Sequence, residues 1–249
     1  MIKLTSTKTA SEDNGIKVLV HAPPGTGKTR LCSTTGCPEQ TLIISAEAGL
    51  LSLRDFDIPV AEITCLQDLR DIYLALVTDK NFAHFKWICI DSITEVAEII
   101  LAAELKLSSD PRQAYGALIA EVDEMVRLFR DLKGRNVYMA CKQGTVKDEE
   151  TGLLLRGPEM PGSKLGNKIP YLFDEVFALQ SFRDPETKIV SRALQTVNDG
   201  RYSAKDRSGS LDEYEEPSLE AIAEKIQRGN SKEKSEDLKQ SVDSPENQG

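Results

Sequence analysis

The 249-residue sequence has no long apolar run. Its longest apolar stretch, residues 96–107, is interrupted by Glu98, Glu104 and Lys106. It therefore falls short of the roughly 18 apolar residues that a membrane-spanning helix needs. The first 15 residues also lack the apolar core of a secretory signal. We expect a cytoplasmic chain that makes no membrane contact.

An excess of basic residues is also missing. The chain carries 31 basic and 40 acidic residues, a net charge of −9, which argues against a generally basic nucleic-acid-binding surface but leaves local basic loops open. The 5 cysteines are an odd number and lack zinc-ligand spacing. Cys89 and Cys141 lie in apolar runs that predict buried strands. Free thiols in a core fit a reducing cytoplasm.

Short apolar runs alternate with helical patterns as far as residue 141. The runs do not alternate with polar residues, which predicts buried parallel strands; they span 16–20, 41–45, 87–90 and 137–141. Helices are predicted from Thr64, with Gln67 at capping-box spacing, and over 93–107 and 114–132. This order predicts an α/β fold with a mostly parallel sheet flanked by helices.

The pattern changes after residue 141. Residues 142–170 are rich in Gly, Pro and charge, which predicts a mobile loop region. Apolar segments at 175–182 and 188–197 flank a turn and predict a C-terminal β-hairpin, and 218–226 predicts a short helix. We expect a flexible N-terminus over 1–14, one domain over 15–228 and a disordered polar tail over 229–249.

Residues 22–29 form the strongest motif. They match the P-loop pattern G-x-x-x-x-G-K-[ST], except that Ala22 replaces the first Gly. The glycines let backbone N–H groups converge on phosphate, and a helix N-terminus adds a positive dipole. Lys28 is expected on the β- and γ-phosphates of ATP, and the Thr29 hydroxyl on Mg²⁺. The predicted nucleotide-binding residues are Pro24, Gly25, Thr26, Gly27, Lys28, Thr29 and Arg30.

Two carboxylates follow predicted strands. Asp91 ends the strand at 87–90 and is predicted to be the second Mg²⁺ ligand; the alternative is that it only caps the next helix. A glutamate directly after Asp91 could act as the general base, but Ser92 occupies that position. The next candidate is Glu47, which lies just past the strand at 41–45 and is expected beside the P-loop at the carboxyl edge of the sheet. The alternative is a solvated loop carboxylate.

The whole set of motifs resembles the phage RecA-like nucleotide-binding proteins associated with recombination and single-strand annealing. The resemblance covers about residues 15–228. The segments that carry it are APPGTGKT (22–29), SAEAGL (45–50), WICIDS (87–92), PEMPGSKLGNKIPYLFDEVF (158–177) and AKDRSG (204–209). It implies a RecA-like ATPase that acts on single-stranded DNA together with a single-strand-binding protein.

The resemblance also implies roles for individual residues. Glu47 would polarise the attacking water, and Lys142 or Gln143 would sense the γ-phosphate. Lys205 and Arg207 would reach the nucleotide of a neighbouring subunit, which requires a homo-oligomeric ring or filament. DNA contact is expected in residues 142–170, through Lys164 and Lys168 among others, since loops after the later strands bind DNA in such proteins. The alternative is that this segment is a solvated connector.

The sequence is also compatible with other functions. A replicative helicase or helicase loader is one alternative, although such helicases usually carry an extra N-terminal domain and only 14 residues precede the first predicted strand. A nucleotide switch that binds ATP without hydrolysing it is another, and it depends on whether Glu47 reaches the γ-phosphate. A small-metabolite kinase is disfavoured, since no lid or acceptor-binding motif is present in the sequence.

Overall fold

The computed structural model describes residues 4, 6, 14–47, 49–147 and 152–229. The predictions for the N-terminus and for the tail therefore fall almost entirely outside the described residues. Ten strands of the described chain form one sheet. They are β1 (Lys17–Ala22), β2 (Thr41–Ser45), β3 (Val60–Glu62), β4 (Trp87–Asp91), β5 (Asn136–Lys147), β6 (Leu154–Glu159), β7 (Glu175–Arg183), β8 (Val190–Gln195), β9 (Lys205–Asp206) and β10 (Tyr214–Glu215).

The centre of the sheet is parallel. Its strand order is β10-β8-β7-β1-β5-β4-β2-β3, with β6 paired to β5 and β9 paired to β7. Every neighbouring pair from β7 to β3 is parallel, whereas β8 turns back antiparallel on β7. The predicted α/β fold, with its C-terminal hairpin of β7 and β8, is confirmed.

Helices cover both faces of this sheet. They are α1 (Lys28–Leu31), α2 (Leu66–Thr78), α3 (Ile93–Leu107), α4 (Pro111–Arg130), α5 (Ser163–Lys168) and α6 (219–229). Successive residues of β4 enter different cores: Ile88 and Ile90 face α2, α3 and α4, while Trp87 and Cys89 share the core of α1 and α6. Burial on both faces explains why the strands lack polar alternation. No described helix is long and apolar enough to cross a membrane.

The start of α2 differs from the prediction by one residue. Cys65 is the N-cap, and the carboxylate of Asp68 accepts hydrogen bonds from the backbone N–H groups of Thr64 and Cys65 at 2.8 and 3.1 Å. Gln67 instead donates to Asp71 at 2.8 Å. The expected capping role of Gln67 was wrong, because the box is counted from Cys65 and not from Thr64.

The prediction of a mobile loop over 142–170 was also wrong for the described part. Strand β5 continues to Lys147, and β6 pairs with it antiparallel from Lys142↔Glu159 to Lys147↔Leu154. Residues 163–172 are helical. Gly144 serves close packing in this hairpin, because a Cβ there would lie 3.1 Å from the Cβ of Glu159. Gly144 thus reflects close contact between two strands and not a mobile loop.

A buried carboxyl lies at the amino-terminal end of β7. Glu175 is only 2% exposed, and its Oε1 accepts a hydrogen bond from the Ser208 N–H at 3.2 Å. Burial, together with the negative charge of Asp206 on the paired strand β9, raises the pKa of Glu175 to about 8. Glu175 is therefore protonated in the folded protein at neutral pH.

We expect Glu175→Gln to gain stability relative to wild type as the pH rises from about 4.5 to about 8. In that interval the folded state holds a proton that the unfolded state releases, so the wild-type free energy of unfolding carries a falling contribution that Gln lacks. Urea unfolding at several pH values measures the difference. Titration of Lys17 and His21 affects both proteins alike and cancels. The exposed Glu186→Gln serves as control, and a pH-independent difference for Glu175→Gln would contradict the assignment.

Candidate nucleotide site

The loop after β1 has the backbone geometry of a phosphate cradle. Gly25 and Gly27 have φ values of 74° and 116°, in the left-handed region that favours glycine. Apart from Gly25 itself and its two chain neighbours, no described atom lies within 4 Å of the place that a Cβ on Gly25 would take, so the loop surface is open there. The Thr26 hydroxyl donates to the Pro23 carbonyl at 2.9 Å and closes the loop. Helix α1 then begins at Lys28.

Lys28 and Thr29 point to different partners. The Lys28 ammonium donates to the carbonyls of Ala22 and Pro23 at 2.8 and 3.1 Å. Burial lowers the pKa of Lys28, against the opposing influence of the carboxylates of Asp91 and Glu47. The Thr29 hydroxyl donates to Asp91 Oδ2 at 2.5 Å. Phosphate oxygens would replace the two carbonyls as acceptors for Lys28.

Thr29 and Asp91 fit a magnesium ion. Asp91 is buried at the end of β4, and burial, with the charge of Glu47, raises the pKa of its carboxyl. A hydroxyl beside a buried carboxylate is the oxygen-ligand chemistry that Mg²⁺ takes, and a cation there would offset the cost of ionising Asp91. The alternative role of Asp91 as a helix cap was wrong: Ser92 is the N-cap of α3, and its Oγ accepts from the Glu95 N–H at 3.3 Å.

Glu47 lies beside this pair. Strands β2 and β4 are neighbours in the register Ser45↔Asp91, so their carboxyl ends meet at one edge. The Ser92 hydroxyl donates to Glu47 Oε1 at 2.7 Å. The Asp91–Ser92 peptide bond, which joins the metal candidate to this serine, is cis. The structure thus brings together Lys28, Thr29, Asp91 and Glu47, as the motifs indicate.

The two sensor candidates have different surroundings. The Lys142 ammonium pairs with Glu95 Oε2 at 2.9 Å and Glu98 Oε1 at 3.2 Å, both on α3, and these hydrogen bonds raise its pKa. Its charge is therefore largely compensated. Gln143 instead contacts His21 Nδ1 at 3.1 Å. Sensing by either residue stays a prediction.

His21 belongs to the site although no motif singled it out. It is fully buried in β1, directly before Ala22, and its Nε2 lies 2.7 Å from the Ser203 carbonyl. Since that carbonyl only accepts, Nε2 carries the proton. Burial lowers the pKa of His21, which favours the neutral ring. In the neutral ring Nδ1 can only accept, so the Gln143 carboxamide, whose Oε1 lies 3.1 Å from Nδ1, would have to turn its NH₂ group towards the ring to donate. The only sequence signal is a histidine inside an apolar strand.

The side chain of Arg30 already has binding partners within its own chain. Its guanidinium lies 4.4 Å from the centre of the Phe56 ring and donates to the Ser52 carbonyl at 3.1 Å. These contacts hold its side chain on the segment after β2. A nucleotide-binding role for Arg30 stays a prediction.

The two later cations lie away from the P-loop of their own chain. The Lys205 ammonium donates to the carbonyls of Pro170 and Phe173 at 2.8 and 2.5 Å. Arg207 pairs with Asp174 at 2.8 Å and is 60% exposed. Lys205 lies in β9 and Arg207 directly follows it, and β9 pairs with the start of β7. The start of β7 lies beside the start of β1, whereas the P-loop follows the end of β1. Any contact of these cations with a nucleotide therefore requires another subunit.

A family model described as an AAA domain matches residues 14–208, which include every site residue above. The chain belongs to this AAA domain family. No curated protein matches the sequence. Among solved structures, a KaiC-like protein from the hyperthermophilic archaeon Pyrococcus horikoshii OT3 is similar, with 17% identity, a TM-score of 0.43, and coverage of 77% of this chain and 83% of that chain.

Membership of the AAA domain family confirms the coarser expectation of a P-loop nucleotide-binding ATPase domain. This AAA domain has Ser92 after Asp91, and its second carboxylate comes from the segment after β2. The phage group that the motifs resemble stays a prediction.

We expect Asp91→Asn to remove the thermal stabilisation by MgATP and to raise the Tm of the protein alone. Asparagine still accepts from the Thr29 hydroxyl, but it avoids the cost of a buried carboxylate whose pKa is raised. For a chain of this size each kcal/mol corresponds to about 2–4 °C. Melting with and without MgATP measures both effects, and the exposed Asp55→Asn is the control. An unchanged MgATP shift would contradict the assignment.

Proposed function

We propose that this protein is a Mg²⁺-dependent ATPase of the RecA-like type that acts on single-stranded DNA in phage recombination or annealing. One observation carries the ATPase half: the Glu47 carboxylate is held by Ser92 beside the hydrogen-bonded pair of Thr29 and Asp91. A carboxylate at this place favours turnover over a switch that only binds ATP.

The proposed chemistry is attack of a water oxygen on the γ-phosphorus of ATP, with transfer of the water proton to Glu47. The bond from the γ-phosphorus to the β,γ-bridging oxygen breaks, and ADP leaves with that oxygen while inorganic phosphate is released. The hydroxyl of Ser92 donates a hydrogen bond to Oε1 of Glu47. This bond orients the carboxylate and leaves Oε2 to accept the proton of the water. Lys28 balances the charge of the β- and γ-phosphates. Bound Mg²⁺, held by Thr29 and Asp91, would supply further charge neutralisation on the phosphates.

We expect Glu47→Gln to bind MgATP with near wild-type affinity and to hydrolyse it about 10²-fold more slowly or worse, because glutamine cannot accept the proton. Ser92→Ala should slow turnover less, since the base remains but is no longer anchored. Glu62→Gln, at the end of the neighbouring strand β3, is the matched control. Steady-state hydrolysis and a binding titration measure the two effects. Wild-type turnover in Glu47→Gln would move the role of base to another residue.

The hairpin of β5 and β6 supports the DNA half of the proposal. It carries the exposed cations Lys147 and Arg156. The Arg156 guanidinium lies 5.4 Å from the centre of the Tyr202 ring and donates to the Tyr202 hydroxyl at 2.7 Å. Proteins that bind single-stranded nucleic acid use cations to contact the phosphates and aromatic rings to stack on the bases.

The lysines first expected to meet DNA differ from each other. Lys168 pairs with Asp123 on α4 at 2.8 Å, so its charge is already compensated within the chain. Lys164 is exposed on α5. The candidates for phosphate contact are therefore Lys164 and the cations of the hairpin, Lys147 and Arg156.

A continuous series of hydrogen bonds supports coupling between this hairpin and the P-loop. The Ser203 N–H donates to the Arg156 carbonyl at 2.8 Å, while the Ser203 carbonyl accepts from His21 at 2.7 Å. His21 directly precedes Ala22. A strand bound on the hairpin would thus bear on the backbone that leads into the phosphate cradle.

We expect single-stranded DNA to raise ATP turnover, and DNA affinity to fall as salt is added. Lys147→Ala with Arg156→Ala should flatten the salt dependence, by about 0.7 in log–log slope for each DNA phosphate that the variant no longer neutralises. Hydrolysis and DNA titrations at several salt concentrations measure this. Lys80→Ala, which precedes β4 at the opposite edge of the sheet, is the control. An unchanged slope would exclude the hairpin as the DNA-binding surface.

The proposed active form is a homo-oligomeric ring or filament that works with a single-strand-binding protein. The exposed Arg207, remote from the P-loop of its own chain, supports a head-to-tail contact in which this cation meets the nucleotide of the next subunit. A helicase or helicase loader is the alternative. It would use the same ATPase site, and unwinding of duplex DNA would distinguish it from annealing.

A further inference from the structure

The side chain of Arg192 lies over the P-loop of its own chain. Its Cδ and Nε are both 3.8 Å from the place that a Cβ on Gly27 would take. Gly27 directly precedes Lys28, the predicted phosphate-binding lysine. No sequence motif marks Arg192, because 165 residues separate it from Gly27 along the chain.

The register of three strands places Arg192 there. Strand β7 pairs parallel with β1, with His21 opposite Ala178. Strand β8 returns along β7, with Ser181 opposite Arg192. Ser181 lies three residues beyond Ala178, so Arg192 lies past the end of β1 and alongside the loop that follows it. The hairpin of β7 and β8 thus extends beyond the carboxyl edge of the sheet, next to the P-loop.

The charge of Arg192 is not used within the described chain. Its side chain is exposed, and no described carboxylate forms an ion pair with it. By contrast, Arg207 and Lys142 have carboxylate partners. A guanidinium beside Gly27 and an ammonium at Lys28 place two positive charges at one loop. That arrangement suits a polyanion, because both groups carry positive charge.

We propose that Arg192 binds phosphate oxygens of the nucleotide held in the P-loop of the same subunit. This inference rests on the proposed function and deepens it. The planar guanidinium offers paired N–H donors that match phosphate geometry, which lysine lacks. Arg192 acts within its own chain, unlike the role proposed for Arg207, and it makes the hairpin of β7 and β8 part of the nucleotide site.

The test is the affinity for MgATP of four proteins: wild type, Arg192→Ala, Arg192→Lys and Arg183→Ala. We expect Arg192→Ala to weaken binding about 10- to 100-fold, as expected when a charged hydrogen bond is removed. Arg192→Lys should weaken it less, because the charge remains. Arg183→Ala removes an exposed cation from the same hairpin and should bind as wild type does. Urea midpoints near the wild-type value confirm that the variants fold.

Parallel titrations of wild type and Lys28→Ala separate the role of Arg192 from the nucleotide site itself. If wild type binds MgATP and Lys28→Ala does not, but Arg192→Ala binds as wild type does, the role of Arg192 is wrong and the nucleotide site stands. If wild type fails to bind, both fall. Mixing Lys28→Ala with Arg192→Ala should give no turnover beyond the sum of the two, since each subunit lacks part of its own site. Recovery on mixing would place Arg192 across an interface and overturn the assignment.

Discussion

The hydrogen bond from Thr29 to Asp91 joins the P-loop to the end of β4, and the geometry around it depends on the strand order. Strands β1 and β4, which lead to these residues, are not neighbours, because β5 runs between them. From β5 the buried Tyr138 donates its hydroxyl to the Lys28 carbonyl at 2.9 Å. Helix α1 is therefore tied to β5 by its backbone and to β4 by a side chain. These bonds place Lys28 next to the carboxylates.

The buried charged groups at this edge of the sheet lower the stability of the folded chain, and bound ligands of opposite charge would offset that cost. Burial opposes the charged forms of both Asp91 and Lys28. The folded chain tolerates them because they lie near each other and because Thr29 donates to Asp91. A cation and a phosphate chain would each meet a group that burial leaves only partly compensated. At the opposite end of the sheet, burial raises the pKa of Glu175 to about 8, so this carboxyl is neutral and carries a proton.

Much of the site was predictable because its residues follow strands. In a parallel sheet all carboxyl ends meet at one edge, so a P-loop after β1, Glu47 after β2 and Asp91 at the end of β4 had to converge. The partners of long side chains were not predictable. Lys142, one of the two candidate γ-phosphate sensors, pairs with Glu95 and Glu98 of α3, because that helix packs beside the end of β5.

By itself the sequence determined the α/β alternation, the phosphate-binding loop and the edge of the sheet at which the chemistry lies. Those features depend on local patterns: apolar runs, glycines at left-handed positions, and acids at strand ends. Tertiary structure alone decided that β6 pairs antiparallel with β5, that Tyr202 meets Arg156, and that Arg192 lies over Gly27. The first depends on the pairing of two successive strands, and the other two bring together segments that lie far apart in the chain. The chain between such segments is too long for turn geometry to fix their alignment, and strands buried on both faces lack the polar alternation that would otherwise mark the register.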